Sequence, residues 1–140
     1  MKNEETQLEF ALTLCKGNAA AVEFLCQAWT WFHRIDDLVD GDTKGNLAVV
    51  KTFAEGIVVL SHPFYLQNLA ALRVTILNIA QLYALSVEWE GGAEAWQREW
   101  AEVQRHCGMQ LALAVAMICG GWDHAQRMAR TLAEESHKNC

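Results

Sequence analysis

The run His33-Arg34-Ile35-Asp36-Asp37-Leu38-Val39-Asp40-Gly41-Asp42 gathers carboxylates where a helix ends. Upstream, Val22, Leu25, Trp29 and Phe32 form an apolar stripe. Steps of one helical turn carry that stripe on to Asp36 and Asp40, so two carboxylates prolong the expected buried face. Asp37 falls on the neighbouring face with His33 and Thr30. The arrangement opposes local preference twice. A helix C-terminus carries partial negative charge, and carboxylates one turn apart repel each other. Something positive must offset them. Hard oxygen ligands on one helix face suit Mg²⁺, which takes one or two carboxylates together with substrate phosphates. The alternative is that Arg34 and Lys44 neutralise a solvated cluster.

Helices must position these groups, because the chain between its Gly and Asn breaks repeats with helical period. Thr6-Gln7-Leu8-Glu9 reads as a capping box opening a first helix that ends near Cys15. Gly17-Asn18 stops it and caps a second helix running to about Asp40, where Gly41 supplies the stop. Asn46 caps a third through Leu47, Val50, Ala54 and Ile57. Pro63 sits in the first turn of a fourth, which extends to about Trp89 and ends at Gly91-Gly92. A fifth runs from Ala93 to about Cys119, kinked near Gly108 and ended by Gly120-Gly121. Asp123 caps a last helix through Glu135. No alternating strand pattern stands out. Six helices with short turns predict an all-α fold, a compact bundle forming a single helical domain over 1–140. Trp96, Trp100, Val103 and Cys107 make a stripe expected to be core.

The segment from Asn18 to Gly41 resembles the first aspartate-rich region of the squalene/phytoene synthase family. In those head-to-head prenyl synthases a long helix runs through aromatic residues into an Arg and then an Asp-x-x-x-Asp pattern. Arg34, Asp36, Asp37 and Asp40 stand at the matching positions. The resemblance implies part of the isoprenoid-synthase fold. It also implies that Asp36 and Asp40 hold Mg²⁺ against a diphosphate, with Asp37 in support. A second Asp-x-x-x-Asp is absent from the sequence. If helices two and four run parallel, their C-terminal ends share a pole, and Glu90 continues the stripe of Ile76, Ile79, Tyr83 and Ser86. Glu90 is then a further candidate metal ligand. Arg34 would meet the diphosphate, and Trp29 and Phe32 would face a carbocation.

Composition narrows the setting. The 140 residues are 52% hydrophobic with a formal net charge of −6, which argues against disorder and against a general nucleic-acid binder. The start Met1-Lys2-Asn3-Glu4-Glu5 has no basic, apolar leader, and the longest apolar run, Leu111 to Cys119, is too short to span a membrane. Cys15, Cys26, Cys107, Cys119 and Cys140 are odd in number and lack a Cys-x-x-Cys pair, so buried thiols in a reducing, cytoplasmic compartment are expected. Glu99 with Glu102, and Arg127 with Arg130, read as polar helix faces. Two functions follow. One is Mg²⁺-dependent binding of a diphosphate small molecule. The other is a non-catalytic helical interaction protein whose acidic pole is solvated surface. The apolar fourth and fifth helices predict a homo-oligomer.

Overall fold

The computed structural model describes residues 4–138, with side chains over 6–135. Every element in that span is a helix: α1 (Glu4–Leu14), α2 (Ala19–Asp40), α3 (Asn46–Val59), α4 (Pro63–Gln67), α5 (Leu69–Trp89), α6 (Ala95–Gln104) and α7 (Met109–Lys138). The all-α expectation holds, with seven helices instead of six. They fall into two compact units, α1 to α4 and α5 to α7.

In the first unit α2 is the central element, packed by α1, α3 and α4. Its ends are those its sequence predicts. The Asn18 side chain accepts from the Ala21 amide at 3.1 Å, and Gly41 closes the last turn with its N–H on the carbonyls of Asp37 and Leu38. Leu14, Cys15, Ala21, Phe24, Leu25 and Ala28 are fully buried. The Phe24 ring lies 5.7 Å from Phe64 and 6.0 Å from Tyr65, which seats α4 against α2.

Three boundaries differ from expectation here. The first helix already includes Glu4, so Thr6 lies inside it and does not cap it. Asn46 is the first helical residue of α3 and not its cap. The cap is Gly45, at φ 107° and ψ 155°, with no side-chain hydrogen bond. That backbone excludes a residue with a Cβ at little strain. The expected fourth helix is broken at Asn68. Its side-chain amide donates to the Phe64 carbonyl at 2.9 Å, and its backbone N–H bonds the carbonyls of Phe64 and Tyr65. These bonds end α4 after five residues.

In the second unit α5 buries Leu72, Ile79 and Ser86, one residue every two turns. Cys107 is buried, with its Sγ on the Ile79 carbonyl at 3.7 Å. The expected fifth helix is two helices, because a turn over 105–108 separates α6 from α7. Gly120-Gly121 does not end α7. Gly121 interrupts it at φ 80° and ψ −176°, and helical structure resumes through Lys138. The tryptophan stripe is a further correction. Trp96 and Val103 are exposed, Trp100 is half-buried, and only Cys107 is core. Trp96 and Trp100 instead pack edge-on against the Trp89 ring, each at 5.2 Å, which leaves Trp96's other surface in solvent. Among the described residues α5 is the one helix long and apolar enough to cross a bilayer, by length and composition only. Arg73, Asn78, Gln81 and Glu88 interrupt it, so it makes no clear span.

Candidate functional site

The C-terminal half of α2 and the helix that folds back on it enclose a cleft of about 250 Å³. Arg34 and Asp37 line it from α2, Thr43 from the turn, and Lys51, Thr52 and Glu55 from α3. α3 approaches closely because it presents Gly56 to the indole of Trp31. A Cβ at Gly56 would lie 2.6 Å from Trp31 Cζ2. The indole N–H then donates to the Thr52 carbonyl at 3.1 Å, and the Thr52 hydroxyl to the Ala48 carbonyl at 2.8 Å. Across the cleft Arg34 Nε meets Glu55 Oε2 at 2.9 Å. Both partners keep solvent access, so the pair contributes about 0–1 kcal/mol. The Asp37 backbone is well fixed, since its carbonyl accepts from the amides of Asp42 at 2.9 Å and Thr43 at 3.2 Å.

This geometry reorders the sequence candidates. The stripe through Val22 and Leu25 is buried, but burial falls along it. Trp29, Phe32 and Asp36 are half-buried, and Asp40 is exposed. The two carboxylates therefore do not prolong a buried face. The physical reason is that α3 covers α2 from another direction, over Trp31, Arg34 and Leu38. Arg34 and Asp37 share the cleft, whereas Asp36 and Asp40 do not line it. Glu90, in the second unit, is exposed and ion-paired with Arg105, whose guanidinium also lies 5.2 Å over the Tyr83 ring. Among the described residues no three His, Cys, Asp or Glu side chains form a group that could hold a metal ion. The cleft offers Asp37 and Glu55 as oxygen ligands, and Arg34 and Lys51 as cationic donors. Sequence reasoning missed Lys51, Thr52 and Glu55. The available signal was a polar trio in an otherwise apolar helix.

A second polar arrangement lies at the start of α4. His62 is buried, its Nδ1 accepts from the Phe64 amide at 3.1 Å, and its Nε2 meets Glu23 Oε1 at 3.0 Å. Those bonds fix the tautomer with Nε2 protonated. Both ring nitrogens are used in capping and anchoring, so the imidazole is structural. Of the thiols, Cys15 and Cys107 are buried and Cys26 and Cys119 half-buried, while Cys140 lies outside the described residues. Burial raises the pKa of Cys26 and Cys107 above the usual thiol value, which disfavours thiolate chemistry at either.

The outer face of α3 is the other notable feature. Leu47 is 74% exposed, Val50 62%, Phe53 71% and Ile57 55%. Ala54 and Val58 complete it, with Lys51 at its edge beside Leu47 and Val58. Compared with known proteins, the chain matches no family model, no curated protein and no solved structure.

Proposed function

We propose that this chain is a non-catalytic helical interaction protein whose partner surface is the outer face of α3. One observation carries the reading: five large apolar residues of one helix face, Leu47, Val50, Phe53, Ile57 and Val58, stand more than half exposed. A large apolar face left in water requires cover. From those exposures the patch measures roughly 600 Å², at the upper end of the largest apolar patch on an ordinary monomer. The test is Phe53→Glu in dilute solution. If the face awaits a partner, the added carboxylate meets water, and the melting temperature stays within about 2 °C of wild type. If the face is core in solution, a buried unpaired charge costs several kcal/mol and the variant unfolds. That second result refutes the reading.

A second reading is favoured by the cleft. Arg34 and Lys51 can bond phosphate oxygens while Asp37 shares a Mg²⁺ ion with them, the combination of carboxylate and phosphate that Mg²⁺ prefers. Asp36 and Asp40 on the same helix end add negative charge for the cation, whereas Trp29 and Phe32 lie on another side of α2 and do not line the cleft. The ion would draw charge from the leaving diphosphate. Mg²⁺ with inorganic diphosphate should then raise the melting temperature of wild type through mass action, and not that of Asp37→Asn. Equal responses in the two proteins remove this reading.

A further inference from the structure

Resting on the reading of α3 as a partner surface, we propose that its occupant is a second copy of this chain, with the two α3 helices packed antiparallel about a two-fold axis. The spacing of the exposed residues supports this. Leu47, Val50, Ala54 and Ile57 follow one another at intervals of three, four and three residues. That is the seam by which two helices interlock. A seam of this kind packs against a seam of the same spacing, and a second copy has that spacing by identity. A two-fold operator presents the same patch from both sides.

The antiparallel arrangement sets Leu47 of one copy against Ile57 of the other, and Val50 against Ala54. The second pairing puts a branched side chain over a methyl group, the large-on-small fit that lets helices approach closely. Charge agrees. The net charge of −6 lies elsewhere in the chain, and α3 itself carries one Lys51 and one Glu55. Area agrees as well. Two patches of roughly 600 Å², buried completely, would give about 1,200 Å², the lower limit for specific interfaces and above incidental contacts.

The test is sedimentation equilibrium of wild type, Leu47→Glu, Ile57→Lys and an equimolar mixture of the two variants. Both positions are solvent-exposed in the single chain, so neither substitution strikes its core. Wild type is expected to be a dimer at about 20 μM. Each variant alone should be at least tenfold weaker in self-association, because an unpaired charge faces an apolar side chain. The mixture should regain the dimer, because Glu at 47 then meets Lys at 57 of the other copy. Parallel pairing would set 47 against 47 and give no such recovery. A monomeric wild type at about 100 μM, variants that dimerise like wild type, or a mixture that stays monomeric each overturns the proposal. Failure of the partner-surface reading looks different. There Phe53→Glu unfolds the dilute chain, whereas a stable Phe53→Glu with a monomeric wild type leaves the surface open to another protein.

Discussion

Gly56 is the position where two opposed effects can be weighed against each other. It lies buried in the middle of α3, where glycine costs about 1 kcal/mol of helix propensity relative to alanine. Gly56→Ala would gain that amount if nothing else changed. The new methyl, however, would lie 2.6 Å from Trp31 Cζ2 and 2.9 Å from Cε2. Those atoms belong to a rigid ring, so ring or helix must move. Overpacking of this kind costs about 1–3 kcal/mol. If the indole swings away, its 3.1 Å bond to the Thr52 carbonyl is lost too, at about 1 kcal/mol. The sum is a net destabilisation on the order of 1–3 kcal/mol. Urea denaturation followed by circular dichroism measures it, and a double-mutant cycle isolates its cause. In a Trp31→Ala background the obstacle is gone, and Gly56→Ala should stabilise by up to about 1 kcal/mol. A neutral or stabilising Gly56→Ala in the wild-type background would refute the contact on which the α2–α3 cleft depends. So would the same sign in both backgrounds.

Two further predictions concern helix ends. His62→Ala removes the acceptor for the Phe64 amide and the anchor to Glu23, and should lower stability by about 1–2 kcal/mol. His62→Asn, which can still accept from that amide, should lose less, and equal losses would deny the capping role. At the α7 break, Gly121 holds φ 80° and ψ −176°, a region open essentially to glycine alone. Gly121→Ala should cost about 1–3 kcal/mol by the same denaturation assay, although its Cβ would meet no atom within 4 Å. A neutral result would mean that the chain does not take this bend.

Sequence showed the ends of α2 most clearly, because Asn18 and Gly41 act through bonds to residues within one turn. Pro63 likewise opens α4 where expected. What escaped was set by contacts at longer range or by one side chain overriding a pattern. The apolar spacing runs on from Pro63 to Trp89, and the break between α4 and α5 falls at Asn68, whose backbone leaves the helix at φ −119° and ψ 30° while its amide donates to the Phe64 carbonyl. The acidic site shows the same limit. Periodicity correctly placed Asp36 and Asp40 one and two turns beyond Phe32. It could not show that α3 would cover the side bearing Trp31 and Arg34. Asp37, expected only in support, thereby became the aspartate that lines the cleft. Trp96 and Val103 read as core for a similar reason. Spacing identifies a shared face, but not whether a neighbour covers it.

α3 reverses the usual order of a surface helix, which turns its apolar side inward and its polar side to water. Here the side facing α2 carries Ala48, Thr52, Glu55 and Gly56, small or polar residues; Val59 is the one large apolar residue of α3 that is buried, and Leu47, Val50, Phe53 and Ile57 point out. Of its large apolar side chains α3 therefore buries one, Val59. The inner contact rests on a backbone approach over Gly56, one indole hydrogen bond and a half-solvated ion pair. Both functional readings descend from that inversion. Polar groups turned inward build the cleft, and apolar groups turned outward build the partner surface. The two differ in how much of the sequence they explain. The cleft uses Lys51, Thr52 and Glu55, residues that an inner helix face can hold for structural reasons alone. The outer face uses Leu47, Val50, Phe53 and Ile57, which in water would each be better replaced by Lys, Glu or Gln. A partner that covers them turns this liability into binding area, and that is why the interaction reading stands first.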